Sequence, residues 1–322
     1  GEEDLWYDDR IFQFEDLLSS GRGRDRPEPE GRDPDDLFAI LYTSGTTGKP
    51  KGVGLTHASV LQAAAGTVDA IGLDEDDRVI GMTALFHVFG IGPGLLGTLM
   101  TGASLVLQDE FDGGLTLDLI ARHGVTVQYG IPTLFVTQLH EQSRSPRDVS
   151  SLRLGVAAGA PVSDDLVRDV ERQLCETLLV AYSLTETSST VAITRPDDTG
   201  EKRRFTVGRP LPGTEIRVLE LDGTELPVES VGEIAVKGPG VMKGYYRQPQ
   251  ETASAFDPDG FFVTGDLGIL DEEGCVHLVG RRKEVIIRSG FNVYPREVED
   301  RLQSHPAIRE AVVVGVPDEV LG

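Results

Sequence analysis

The 322-residue chain carries 53 Asp and Glu against 30 Lys and Arg, a formal net charge of -23, with 39% hydrophobic residues. So acidic a surface repels nucleic acid and anionic membranes, while the apolar fraction is enough for one large core or two smaller ones. Only six of the basic residues are lysine, and the acid excess runs along most of the chain. That balance suits a halophilic protein, kept soluble at high salt; an ordinary acidic cytosolic enzyme is the plainer alternative.

The opening GEEDLWYDDR lacks the apolar run of a signal peptide, which predicts a cytoplasmic setting. Residues 1–36, with GRGRDRPEPEGRDPDD at 21–36, read as a charged, solvated connector. LFAILYT (Leu37–Thr43) reads as a buried strand, and Thr56 as the cap of a helix over His57–Ile71. The stretch Val79–Gln108 is long enough to cross a membrane and is uncharged apart from His87. Its six glycines and Pro93 favour a buried strand–loop–helix–strand instead, with no stable membrane insertion.

RVIGM, SLVLQ, VTVQY, LRLGVAA and TLLVAY follow as strands, with helices near Thr133–Gln142 and Ser163–Leu174. Alternating strands and helices predict an α/β fold: a mostly parallel sheet with flanking helices. After about Arg203 the pattern changes to strands broken by turn pairs such as Asp222-Gly223 and Glu273-Gly274, which predicts a small antiparallel β subdomain. YPREVEDRLQSHP reads as a helix with Pro295 near its start, and IREAVVVGVPD as a further strand. Cys175 and Cys275 have no metal-ligand spacing and read as buried, reduced thiols.

YTSGTTGKPKG (Tyr42–Gly52) combines glycines, hydroxyls and two lysines directly after a strand. Such a loop can wrap an anion, because its N–H groups converge and its hydroxyls and ammonium groups add donors. It is not a Walker loop, since Gly48-Lys49 is followed by Pro50. By itself it could equally be a flexible polar loop. Four further strings stand in order behind it: AAGAP (Ala157–Pro161), AYSLTET (Ala181–Thr187), FFVTGDL (Phe261–Leu267) and GRRKEVIIRSGFNVYPREVE (Gly280–Glu299). Together the five resemble the signatures of the adenylate-forming superfamily of acyl-CoA synthetases, luciferases and peptide-synthetase adenylation domains. The resemblance covers nearly everything from Leu37 onward.

The resemblance implies that ATP activates a carboxylic acid to acyl-AMP, and that a thiol, usually that of CoA, then displaces AMP. It places the β- and γ-phosphates on Thr43, Ser44, Gly45, Thr46, Thr47, Gly48 and Lys49, with Lys51 assisting. Glu186 would hold Mg²⁺, Thr185 would donate to the α-phosphate, and Tyr182 would stack on adenine beside Gly159, Ala160 and Pro161. Asp266 would accept from the ribose hydroxyls, with Arg281 nearby. Ser183 departs from the glycine usual after the Tyr, which bears on the shape of the pocket. Phe86, His87, Val88 and Phe89 would border the carboxylate and the acyl pocket. The place where amino-acid-activating relatives put an Asp is His87 here, which favours a simple apolar fatty or aryl acid. Lys283 matches the hinge and Gly290 the CoA channel.

The implied organisation is a partial N-terminal adenylation domain at 37–282, divided into an α/β part (37–203) and a β subdomain (204–282). Residues 283–322 would be the hinge and the start of a mobile α+β C-terminal domain. The chain is expected to be truncated at both ends: 41 residues precede Tyr42, and no lysine follows Lys283 to serve in adenylation. Three readings stay open: an acid:CoA ligase, a ligase that loads a carrier protein, and a catalytically impaired nucleotide-binding fragment.

Overall fold

The computed structural model describes residues 14–24, 33–43, 50–81, 85–220, 222–289, 291–303, 305, 307–308 and 311–318. The chain separates into two compact units, 1–33 and 34–322. In the first, a helix spans Phe14–Gly21 within the stretch read as a connector.

The second unit is built on a seven-stranded sheet. Its first five strands run parallel in the order Ser104–Leu107, Arg78–Gly81, Val127–Gly130, Leu154–Ala157, Thr177–Leu184. Two antiparallel strands, Ser189–Ile193 and Arg209–Pro210, complete it. The apolar runs are continuous because both faces are covered. Leu178 and Val180 enter one core cluster with Leu117, Phe135 and Val170, while Leu179 and Ala181 enter the other with Ile71, Phe89 and Tyr129. This is the period-two alternation of a strand. Each fully buried Leu or Phe in these clusters contributes roughly 1.5–3 kcal/mol.

The helix His57–Ile71 starts where the sequence places it. Thr56 Oγ1 accepts from Ser59 N–H at 3.0 Å, and Ser59 Oγ accepts from Thr56 N–H at 3.0 Å, a reciprocal cap. Within Val79–Gln108 the chain makes a π-helical turn, Gly90–Gly97, that contains Pro93. Among the described residues no helix is long and apolar enough to cross a membrane. Cys175 and Cys275 are free and buried.

Two strand expectations need correction. Leu37–Thr43 is half-exposed rather than buried, with Tyr42 71% exposed. It is the edge of an antiparallel sheet with Lys51–Thr56 and Gly244–Tyr245, and only its inner face meets apolar partners such as those around Leu41. The segment 311–318 forms no strand: Val312, Val314 and Val316 stand 72–77% exposed. Alternating valines suit a strand, but a strand needs a neighbour for its backbone groups. Among the described residues none pairs with this segment, which is fastened by Gln303 Nε2 donating to Ala311 O and by Val313 N–H donating to Glu299.

Beyond the sheet, Glu215–Leu219, Gly232–Lys237, Phe262–Leu270 and Val276–Arg281 form the antiparallel sheet expected after Arg203. Gly208 joins it to the large sheet. Val207 N–H donates to Val276 O, and Gly208 O accepts from Val276 N–H, both at 2.9 Å. Gly208 has φ +74°, and a Cβ there would lie 2.1 Å from the Ile193 carbonyl carbon. A hairpin, Ile286–Arg288 with Phe291–Val293, and the helix Pro295–Gln303 follow.

Candidate active site

Parallel neighbours end at the same edge of a sheet, so the loops after Leu154–Ala157 and Thr177–Leu184 meet there. Ligands of open α/β sheets bind at this edge. A cleft of about 390 Å³ opens at the spot. Gly159, Ala160, Pro161, Tyr182, Asp266 and Arg281 are among the residues that line it. All six residues expected at adenine and ribose therefore meet in one cavity, although they come from four separate segments. Gly159, with φ +83°, turns the chain away from its strand here.

Asp266 and Arg281 face each other across the register of two antiparallel strands. Tyr182 Oη donates to Asp266 Oδ2 at 2.6 Å, and Arg281 Nε lies 3.2 Å from Oδ1. Asp266 N–H is in turn bound to Thr264 Oγ1 at 3.1 Å. Burial pushes the Asp266 carboxyl above its ordinary pKa, against the opposing pull of Tyr182 and Arg281. Burial and the neighbouring carboxylate raise the Tyr182 phenol well above its own. Tyr182 thus supports Asp266 as well as lining the cleft. Each carboxylate oxygen keeps further acceptor capacity for hydroxyl donors.

The strand Thr177–Leu184 continues into a single tight turn, Thr185–Thr187. Ser188 and Ser189 then take positive φ values, 57° and 111°, so that the chain can return antiparallel as Ser189–Ile193. This reversal holds Thr185 and Glu186 at the sheet edge, partly exposed. Glu186 Oε1 accepts from Tyr245 Oη at 3.1 Å. Among the described residues no group of three or more His, Cys, Asp or Glu could hold a metal ion. A lone carboxylate with acceptor capacity to spare still fits Mg²⁺, which keeps several waters and takes phosphate oxygens as ligands.

Thr43 and Lys51 face each other as the last pair of the hairpin before the glycine-rich segment that connects its strands. Ser44, Gly45, Thr46, Thr47, Gly48 and Lys49 lie outside the described residues, as does Gly290. His87 is exposed, and its Nδ1 accepts from Phe89 N–H at 3.2 Å. That bond requires an unprotonated Nδ1, and desolvation by the surrounding protein lowers the imidazole pKa in the same sense. Of the four residues expected to form an acyl pocket, only Phe86 and His87 present accessible surface; Phe86 is 83% exposed. Val88 packs beside Val53 and Met242, while Phe89 meets Tyr129 edge-on at 5.5 Å. The helical turn that begins here rotates successive side chains by about 100°, which sends them into different cores.

Lys283 lies in the short turn Arg282–Glu284. Its neighbour Arg282 pairs through Nη1 with Oε2 of the buried Glu233 at 2.7 Å. Sequence reasoning passed over Tyr245 and the Glu233–Arg282 pair. The run KGYY (Lys243–Tyr246), two aromatics beside a basic residue and a turn glycine, was the available signal for the first. The second left none, since its partners are 49 residues apart.

The mitochondrial medium-chain acyl-CoA ligase ACSF2 of Bos taurus is 38% identical over 294 residues, 89% of this chain and 48% of the ligase. The chain spans about half the length of the curated relatives it matches. ATP-bound MatB from Rhodopseudomonas palustris superposes with a TM-score of 0.87 at 38% identity, covering 95% of this chain and 60% of MatB. The o-succinylbenzoate coenzyme A synthetase MenE of Bacillus subtilis, in complex with ATP and magnesium, gives 0.82 at 34% identity, covering 94% and 63%. A family profile described as AMP-binding enzyme matches residues 2–246. With that match over most of its length, the chain belongs to the AMP-binding enzyme family.

Proposed function

We propose that the protein of which this chain is part is an AMP-forming acid:CoA ligase, and that this chain supplies its ATP site. The observation that carries the reading is the cleft in which Gly159, Ala160, Pro161, Tyr182, Asp266 and Arg281 converge, one turn from Thr185 and Glu186. Its small and aromatic lining residues and its volume of about 390 Å³ suit a purine, and its buried carboxylate suits a vicinal diol.

In the first half-reaction an oxygen of the substrate carboxylate attacks the α-phosphorus. The bond to the bridging oxygen breaks, and pyrophosphate leaves with that electron pair. An anion approaching a polyanion requires donors and cations. Thr185 donates to the α-phosphate, and Thr43, the Ser44–Lys49 loop and Lys51 receive the departing phosphates. Glu186 would hold magnesium, which would spread the phosphate charge. In the second half-reaction the CoA sulfur attacks the acyl carbon, AMP departs as the leaving group, and the thiol proton passes to solvent. Residues 283–322 are the hinge and the beginning of the mobile domain, and rotation at Lys283 exchanges the two half-reactions.

The acid is apolar, fatty or aryl. The exposed Phe86 ring beside a neutral His87 offers an aromatic surface and no anion for a substrate ammonium. Acid-dependent ATP–pyrophosphate exchange across a panel of fatty, aryl and amino acids tests this, with CoA and an acyl carrier protein compared as acceptors. Exchange supported only by amino acids would refute the reading of His87.

A further inference from the structure

Tyr245 lies outside every motif that anticipated the site, yet it touches two parts of it. The residue is 8% exposed. It sits in the two-residue strand Gly244–Tyr245, opposite Val53 of the strand Lys51–Thr56. Its hydroxyl donates to Glu186 Oε1 at 3.1 Å. Lys51 Nζ stands over the face of the same ring, 4.7 Å from its centroid. Main-chain bonds fasten the segment at both ends: Met242 N–H donates to Glu186 O at 2.7 Å, Lys243 N–H to Gly54 O at 3.0 Å, and Tyr246 N–H to Gly52 O at 2.6 Å. One side chain therefore bridges the base of the glycine-rich hairpin and the carboxylate of the Thr185–Thr187 turn.

The arrangement separates two groups that would otherwise cancel. The electron-rich ring face attracts the Lys51 ammonium. The hydroxyl at the ring edge fixes the rotation of Glu186 and leaves Oε2, and a second lone pair on Oε1, for a hard cation. A direct Lys51–Glu186 ion pair would spend the positive charge needed for phosphate on the negative charge needed for metal.

We propose that Tyr245 is a positioning residue: it orients Glu186 for magnesium, holds Lys51 apart from that carboxylate, and so sets the phosphate-binding hairpin and the metal ligand in register. This rests on the ATP reading above. The test is calorimetric titration of ATP into the whole chain, in EDTA and over a range of Mg²⁺. Tyr245→Phe keeps the ring and loses only the donor. It should bind ATP in EDTA as the unsubstituted chain does, yet require about tenfold more Mg²⁺ for half of the magnesium-dependent gain in affinity. That factor is about 1.4 kcal/mol. In a Glu186→Gln background the same change should add less than about twofold, because the hydroxyl acts through that carboxylate. Lys51→Met, which leaves the Tyr245–Glu186 bond intact, should weaken ATP binding equally with and without Mg²⁺, and it serves if Tyr245→Phe does not fold. An unchanged Mg²⁺ dependence in folded Tyr245→Phe, full additivity with Glu186→Gln, or a Mg²⁺-dependent effect of Lys51→Met would each overturn the proposal. No ATP binding by the unsubstituted chain in Mg²⁺ would overturn the nucleotide reading, and this inference with it.

Discussion

Replacing Asp266 by Asn changes one oxygen to an amide nitrogen and removes one charge at the centre of the cleft. Two consequences should separate. The first concerns stability. Asp266 is buried and its pKa is raised, so the folded state holds its proton more tightly than the unfolded chain does. Between the ordinary pKa, near 3.8, and the raised folded value, the native state binds more protons, and stability falls as pH rises. Above that window the ionised Asp266 costs stability, which Asn does not. Tyr182 can still donate to the Asn oxygen, and Arg281, 54% exposed, can be hydrated. The net change in stability should therefore lie within about 1 kcal/mol of zero. The second consequence concerns the ligand. Hydrogen bonds from ribose hydroxyls to a carboxylate are charge-assisted and worth about 1.5–3 kcal/mol, a factor of about 10–100 in affinity. The unsubstituted chain should bind ATP that much more tightly than 2′,3′-dideoxy-ATP, and the preference should grow as pH rises through the raised pKa. Asp266→Asn should lose most of it. Calorimetry with both nucleotides, beside thermal unfolding from pH 4 to 8, measures both effects. A folded Asp266→Asn chain that still discriminates fully between the nucleotides would refute the assignment of Asp266 to the ribose.

Gly208→Ala should destabilise by about 3 kcal/mol or more, seen as a fall in melting temperature, because φ +74° and a contact at 2.1 Å leave no room for a Cβ. Glu233→Gln removes the buried partner of Arg282. Hydrogen exchange at residues 282–288 should quicken while exchange in the large sheet is unchanged; equal rates would show that the pair does not restrain the segment before Ile286. At a net charge of -23, molar KCl should raise the melting temperature by screening repulsion between acidic groups, and a fall would count against the halophilic expectation.

Much of the secondary structure was legible from local pattern. The capped start of His57–Ile71 and the parallel strands from Arg78 to Leu184 follow from spacing, hydroxyl caps and apolar runs, all of which are interactions between near neighbours. The two missed strands, Leu37–Thr43 as a buried element and 311–318 as a strand, depend on whether another strand lies alongside. Composition carries no information on that. Ordered motifs located six cleft residues, but not that Tyr182 spends its hydroxyl on Asp266, 84 residues away.

By itself, then, the sequence determined the chemical types: a segment rich in glycine, hydroxyls and lysine after a strand, a Thr-Glu pair, an Asp after Gly265, and the α/β order of elements. Only the tertiary structure decided their partners. It sent Val88 and Phe89 into separate cores, locked Arg282 on Glu233, and set Tyr245 between Lys51 and Glu186. Those outcomes depend on distances of a few ångströms between segments far apart in the chain. Pairwise packing and electrostatics become effective at that range only after the sheets have formed.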